Sequence, residues 1–139
     1  MKKPNSILVI QVGSEAAHVV AGFFDQNDLS LYRDYLFFED FSQEVFMQLT
    51  PEVPQLVFTS HAQGVNAHEV ASYVKEVNRE AIVIALTSVE VPDCEDSHLD
   101  GVLTKPMASP KPPAEVAKAF LAGASRTEII RLVESFKKV

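Results

Sequence analysis

The sequence predicts a single α/β domain of the doubly wound class, with a five-stranded parallel sheet covered by helices on both faces. Short aliphatic runs such as 7–10 and 82–86 are apolar at every position, which is typical of strands buried on both faces of a parallel sheet. These runs alternate with longer stretches in which apolar residues recur at helical spacing. Strands that alternate with helices in this way predict right-handed βαβ units.

Five strands are predicted in chain order. They cover residues 7–10, 29–38, 56–58, 82–86 and 99–103. The second is rich in aromatic and aliphatic side chains, as strands are, and the fifth has the weakest pattern. Five strands within about 120 residues match the smaller, flavodoxin-like order of doubly wound sheets rather than a dinucleotide-binding fold.

Polar residues that favour helix starts precede the amphipathic stretches. They are Ser14, Asp40 with Gln43, Asn66 with Glu69, and Ser125 with Glu128, and the last three pairs resemble capping boxes or related N-terminal signatures. The helix after Asn66 is expected to bury Val70, Tyr73, Val74 and Val77. A further helix over 114–122 is expected after a stiff loop with prolines at 110, 112 and 113, and Gly123 ends it.

The stretch between the last two strands departs from this alternation. Residues 89–98 contain Pro92 and four acidic residues but no apolar stripe of helical period. We therefore expect the fourth helix of the fold to be degenerate and reduced to an acidic loop.

The last segment predicts an amphipathic helix beyond the five βα units. One face of it carries Ile129, Leu132, Val133 and Phe136, and these side chains need a surface to cover them. Packing onto the domain and pairing with a second copy both meet this need. We assign residues 1–124 to the domain and residues 125–139 to this C-terminal extension.

Composition excludes several classes of protein. The chain has 139 residues, of which 47% are hydrophobic and 22% charged, and its net charge is −7. Its basic residues are scattered, so we expect no nucleic-acid partner. The single cysteine, Cys94, suits a reducing compartment, and the first apolar run is too short for a signal peptide or a membrane span. We expect a cytoplasmic protein that binds no membrane.

Sites in this architecture form where the strands end at their carboxyl edge, and at four of these ends the sequence resembles a response-regulator receiver domain. ILVIQVGSE is similar to the first receiver strand, VPQLVFTSHAQG to the third, IVIALTS to the fourth and DGVLTKPM to the fifth. The resemblance covers roughly residues 5–122 and is most specific at 86–88 and 103–106. It implies a receiver-like fold and a place in bacterial two-component signal transduction.

Part of the receiver site is present by this resemblance. Thr87 stands at the position of the hydroxyl residue that contacts a phosphoryl oxygen, and Lys105 at that of the lysine that pairs with the phosphoryl group. Pro106 follows the lysine as it does in receivers. Val102 stands where receivers carry the aromatic residue that reports phosphorylation.

The acidic part of the site is missing. Gln11 and Val12 stand at the positions of the two metal-binding acids, and Ser60 at that of the phosphoacceptor aspartate. Phosphoryl transfer needs a nucleophile and a cation, and Mg²⁺ binds through carboxylates. A serine is a poor nucleophile without an adjacent base, and His61 follows Ser60 on a strand, where neighbours point to opposite faces.

We therefore predict a pseudo-receiver: a non-enzymatic, phosphorylation-independent protein–protein interaction module without cofactor or metal, which binds a partner protein or a second copy of itself. One alternative is a small-ligand or anion sensor that uses Ser60, Thr87 and Lys105, although Lys105 is also explained as a structural residue that hydrogen-bonds the surrounding loops. The other is an enzyme of another doubly wound family, which lacks support because no nucleophile–base pair converges on the strand ends. His61 and His68 could meet across a loop, but we expect surface histidines instead.

Overall fold

Five parallel strands form one sheet in the spatial order β2-β1-β3-β4-β5. The strands are β1 (Ile7–Ile10), β2 (Leu36–Phe38), β3 (Leu56–Thr59), β4 (Ile82–Thr87) and β5 (Gly101–Thr104). The computed structural model of the protein describes residues 7–11, 14–31, 33–40, 42–51, 54–61, 65–87, 91–92, 98–104 and 111–136. The doubly wound, five-stranded fold class predicted from the sequence is confirmed.

Helices cover both faces of this sheet. They are α1 (Ser14–Gln26), α2 (Gln43–Gln48), α3 (Ala67–Val77), α4 (Lys111–Leu121) and α5 (Arg126–Ser135). Side chains of α1, α4 and α5 belong to one core, and those of α2 and α3 belong to the other. The described residues between β4 and β5, at 91–92 and 98–100, form no helix. The rest of the predicted acidic loop, including Cys94, lies outside the described residues.

Successive side chains of the inner strands belong alternately to the two cores. In β1, Ile7 and Val9 belong to the core beneath α1, α4 and α5, whereas Leu8 and Ile10 belong to the core beneath α2 and α3. Every residue of β1, β3 and β4 is at most 3% exposed. This two-sided burial is the physical reason for the continuous aliphatic runs in the sequence, because successive side chains of a strand point to opposite faces.

The second strand is shorter than the predicted 29–38, because the chain turns at Ser30. The Ser30 carbonyl accepts hydrogen bonds from the N–H groups of Arg33 and Asp34. The Asp34 carboxylate in turn accepts from the Ser30 N–H at 2.8 Å and from Arg33 Nε at 2.9 Å. Burial by itself would raise the pKa of Asp34, but these hydrogen bonds outweigh it and hold that pKa below its usual value. Such local bonds compete with strand pairing.

Two predicted helix starts are wrong. Ser42 rather than Asp40 precedes α2, and its side chain makes no capping hydrogen bond. The helix α4 begins at Lys111, so that Pro112 and Pro113 lie in its first turn instead of in a loop. Proline fits there because the N–H groups of the first turn have no acceptor within the helix.

Other end signals are confirmed. The Asn66 side chain accepts from the His68 N–H at 2.9 Å at the start of α3. Ser125 and Glu128 form the predicted capping box: Ser125 Oγ accepts from the Glu128 N–H, and the Glu128 carboxylate accepts from the Ser125 N–H. Gly123 follows α4 with φ of +97°, a backbone conformation that glycine adopts without strain.

The apolar face of α5 packs onto the domain's own core. Ile129 and Val133 are fully buried in the cluster that includes β1, β3 and β4, and Leu132 and Phe136 pack against the same cluster while partly exposed. Of the two coverings that the sequence left open, the structure therefore shows packing onto the domain.

Gly101 lets α5 approach β5 closely. A Cβ atom placed on this glycine would lie 2.9 Å from Cγ1 of Val133 and 3.3 Å from Cδ1 of Ile84. Real side chains do not come so close, because packed interiors resist overlap of even one methyl group. The absence of a side chain at this position is thus a condition for the docking of α5.

Asp100 ties both layers of helices to the sheet edge. Its side chain is 2% exposed, and Oδ2 accepts hydrogen bonds from Lys75 Nζ and from the Val83 N–H, each at 2.8 Å. Oδ1 accepts from Arg126 Nε at 2.9 Å and from the neighbouring guanidinium nitrogen. Lys75 lies on α3 and Arg126 on α5, so one buried carboxylate joins helices on opposite faces.

We expect Gly101→Ala to destabilise the protein by about 1–3 kcal/mol, because the new methyl group would force Val133 and α5 outward. The measurement is the free energy of unfolding in urea. Gly22→Ala is the matched control: Gly22 lies in α1, and a Cβ atom placed on it would meet no packing neighbour within 4 Å, so this change should stabilise the helix by about 0.5–1 kcal/mol. If both variants changed the free energy of unfolding equally, the close approach of α5 to Gly101 would be contradicted.

We expect residues 1–124 to stay folded when 125–139 are deleted, but with a lower melting temperature. The reason is that the sheet and four helices remain, whereas the burial of Ile129 and Val133, about 1.5–3 kcal/mol per side chain, is lost. The oligomeric state, measured as molecular mass in solution, should be the same before and after the deletion. A dimer that becomes a monomer would instead assign the extension to dimerisation, and a chain that fails to fold would move the domain boundary.

Candidate functional site

The carboxyl ends of the parallel strands lie together at one edge of the sheet. Thr59 of β3 is paired in register with Ile10 of β1 and with Ala85 of β4. Gln11 and Ser60 therefore follow neighbouring strands at nearly the same level, and Thr87 ends the next one. The structure brings together these three of the predicted site residues.

Gln11 is fully buried at the top of β1. Its side-chain Nε2 donates to the carbonyl oxygen of Ile10 at 3.1 Å and to that of Leu86 in β4 at 3.3 Å. Because β3 lies between β1 and β4, the amide reaches across the end of the middle strand. Both N–H groups of the amide are thus used to hold the backbone, and a carboxylate, which has no hydrogen to donate, could not make these bonds.

Ser60 and Thr87 are also buried and also contact the backbone. The Ser60 N–H donates to the Ile10 carbonyl at 2.8 Å, which continues the pairing of β3 with β1 beyond the strand. Thr87 Oγ1 donates to the His61 carbonyl at 2.8 Å. This bond joins the end of β4 to the segment that leads from β3 towards α3.

His61 and His68 meet beside this edge. Their ring centroids are 6.3 Å apart, with the planes at 74°. His61 Nδ1 accepts from the Ala67 N–H at 3.0 Å, and His68 Nε2 lies 2.7 Å from the Pro92 carbonyl oxygen, to which it donates. These contacts join the start of α3 to the segments on either side of it. The sequence analysis preferred surface histidines, so this meeting corrects it: both residues are partly buried, and their rings lie together.

The remaining predicted site residues are placed as follows. Val102 lies in β5, partly buried and paired with Ala85 of β4. Val12, Lys105 and Pro106 lie outside the described residues. The structural and ligand-binding interpretations of Lys105 therefore both stay predictions.

The described site side chains at these strand ends are neutral. Gln11, Ser60 and Thr87 offer one amide and two hydroxyl groups, whereas Mg²⁺ sites in proteins are built on carboxylates. Within the described part of the chain, no three His, Cys, Asp or Glu side chains are grouped so that they could hold a metal ion. The described helices also include none that is both long and apolar enough to cross a membrane.

Sequence reasoning missed two buried polar residues at the opposite edge of the sheet, Asp100 and Gln55. The side chain of Asp100 and the whole of Gln55 are each 2% exposed, and each is hydrogen-bonded to more than one element. A single polar residue beside a strand gives no periodic signal, so only the three-dimensional partners reveal that it is buried. The one available hint was that each directly precedes or begins an apolar run.

Comparison with solved structures shows which known fold this is. The receiver domain of RcsB from Salmonella enterica serovar Typhimurium matches with a TM-score of 0.62 at 14% identity, covering 95% of this chain and 99% of that one. The receiver domain of DrrB in its BeF3-activated form matches with a TM-score of 0.58 at 21% identity, covering 84% and 96%. The fold is that of a response-regulator receiver domain.

The match to longer proteins is partial. The response regulator DrrB of Thermotoga maritima, an OmpR/PhoB homologue, matches with a TM-score of 0.58 at 21% identity over 86% of this chain, which spans only 53% of that regulator. No family model matches the sequence, and no curated protein is similar to it. The receiver fold is therefore established by structure, and function must be argued from the residues.

We expect Thr87→Val to destabilise the protein by about 1–3 kcal/mol, because the His61 carbonyl loses a buried donor while shape is kept. Thr127→Val is the matched control at an exposed position of α5 and should change the free energy of unfolding by less than about 0.5 kcal/mol. Both values come from urea unfolding. If the two variants were equally stable, the Thr87 hydroxyl would have no structural role.

Proposed function

We propose that this protein is a receiver-fold interaction module that signals without phosphorylation. The observation that carries the proposal is the use of the Gln11 amide and the Thr87 hydroxyl: both donate to backbone carbonyls at the strand ends. In a phosphorylated receiver, by the resemblance described above, these positions serve a metal ion and a phosphoryl group. Here they hold the backbone of β4 and of the segment after β3.

The chemistry at Ser60 supports the same conclusion. A serine needs an adjacent base to act as a nucleophile, and the nearest histidine in sequence, His61, uses its Nδ1 to accept the Ala67 N–H. Ser60 is itself only 6% exposed. A neutral amide at position 11 also does not replace a carboxylate as an Mg²⁺ ligand. The residues present do not fit the metal that receivers use, and we assign no reaction to them.

A module without this switch acts through its surface. The rigid sheet and its helices would present a binding face to a partner protein, and the net charge of −7 disfavours nucleic acid and anionic membranes as partners. The anion-sensor alternative depends on Lys105, which lies outside the described residues, and no contact in the described part of the site favours it.

Adding beryllofluoride with Mg²⁺ to the ¹⁵N-labelled protein should leave its amide spectrum unchanged, because positions 11 and 60 supply neither metal ligand nor acceptor. Mg²⁺ alone and acetyl phosphate with Mg²⁺ should have equally little effect. The matched control is the triple variant Gln11→Asp, Val12→Asp, Ser60→Asp, in which Mg²⁺ should shift the amides around the restored acids. Shifts at residues 11, 60 and 87 in the unaltered protein would refute the proposal.

A further inference from the structure

A groove lies at the edge of the sheet opposite the receiver site. It runs between Pro51 and Pro54, which lie between α2 and β3, and the end of α3, and we name it the α2–α3 groove. The residues that line it are Pro51, Pro54, Glu76, Val77, Arg79 and Glu80. Its volume is about 540 Å³ and it is open to solvent, which places it within the range of binding clefts, roughly 300–1,000 Å³.

A buried hydrogen-bond network holds the two walls of this groove. Gln55 Oε1 accepts from the Thr50 N–H at 2.7 Å and from Asn78 Nδ2 at 3.0 Å. Gln55 Nε2 donates to the Gln48 carbonyl at 2.9 Å, and Asn78 Oδ1 accepts from the Glu80 N–H at 2.9 Å. Gln55 and Asn78 are both at most 2% exposed. The groove therefore has a preformed shape, which lowers the cost of binding.

An exposed aromatic side chain lies one helical turn before the groove. Tyr73 on α3 is 47% exposed, and its ring forms an edge contact with the ring of Phe46 on α2, with centroids 6.2 Å apart. Val77 follows Tyr73 by four residues on the same face of α3 and lines the groove. Tyrosine is enriched where proteins bind one another.

The charges around these apolar residues are mainly acidic. Glu69 and Glu76 precede and follow Tyr73 by about one helical turn and are exposed, and Glu80 lies beyond them. Arg79 is the basic residue among those that line the groove. Two glutamates against one arginine in the groove, with Glu69 exposed one turn before Tyr73, favour a positively charged occupant and repel phosphates of nucleic acids or lipids.

We propose that the α2–α3 groove binds a segment of a partner protein in which an aromatic or aliphatic side chain is flanked by Lys or Arg. The apolar anchor would lie against Tyr73 and Val77, and the basic flanks would face Glu76 and Glu80. This inference rests on the proposed function, since it names the surface and the chemistry of the partner of the same module.

Selection from random peptides displayed on phage tests the chemistry of the occupant. The full chain is the bait, and the strongest peptide is then titrated into ¹⁵N-labelled protein. We expect the selected peptides to combine Lys or Arg with an apolar anchor, and to shift the amides of Tyr73, Val77 and Arg79. Peptides without basic residues, peptides that bind another surface, or no enrichment at all would overturn the proposal.

Paired variants locate the binding surface. Tyr73→Ala should weaken binding of the selected peptide by about tenfold, as substitution of a central interface residue does. Leu121→Ala is the matched control, because Leu121 is 45% exposed on α4, which covers the other face of the sheet; it should leave binding unchanged. Loss of binding in this control alone would place the peptide elsewhere.

A second pair of variants separates local charge from net charge. The double changes Glu76→Lys, Glu80→Lys and Glu115→Lys, Glu134→Lys alter net charge equally, but only the first pair lies at the groove. The first should weaken binding by about tenfold or more and reduce its dependence on salt. Equal loss in both doubles would mean that the peptide responds only to the overall charge.

Repeating the titration with beryllofluoride and Mg²⁺ distinguishes the two proposals. Binding at the groove that is the same in both conditions supports both. Binding that appears only with beryllofluoride would keep the groove but refute phosphorylation independence. If beryllofluoride causes no spectral change and no peptide binds, the proposal for the groove is refuted and phosphorylation independence stands. A concentration-dependent rise in mass that Tyr73→Ala abolishes would identify a second copy as the occupant and overturn the proposed partner.

Discussion

Burial of the inner strands on both faces is the constraint on which the rest of this structure depends. Each strand of the centre contributes alternate side chains to two cores, so helices must cover both faces. On one side α1 and α4 are joined by α5, whose Val133 reaches β5 because Gly101 has no side chain there. The C-terminal helix α5 thereby covers β5 on the face of α1 and α4.

A buried charge fixes the edge strand β5 to the helices on both faces of the sheet. Asp100 accepts hydrogen bonds from Lys75 on α3 and Arg126 on α5, as well as from the backbone of β4. A buried carboxylate is tolerated only when it is paired and hydrogen-bonded, and this one meets both conditions. Two helices on opposite faces are thereby held in a fixed relation to the edge strand. Gln55 likewise links the turn after α2 to the end of α3, through hydrogen bonds with Thr50 and Asn78.

The carboxyl ends and the amino ends of the parallel strands carry different kinds of side chains. At the carboxyl edge, where receivers carry out phosphoryl transfer, neutral side chains hold the backbone together. At the opposite edge, a preformed groove combines exposed apolar side chains with acidic ones. In our proposals the fold serves as a rigid scaffold. Recognition takes place at the α2–α3 groove and does not depend on phosphorylation.

The sequence by itself determined the fold class, because two-sided burial produces continuous aliphatic runs and amphipathic helices that local inspection can detect. It also identified Gln11, Ser60 and Thr87 as neighbours, since parallel strands end at one edge. Only the tertiary structure decided where the apolar face of α5 packs, how far Tyr73 is exposed, and that Asp100 is buried among its partners. These features depend on contacts between residues distant in sequence, whereas periodicity records only which side chains avoid water and not what covers them.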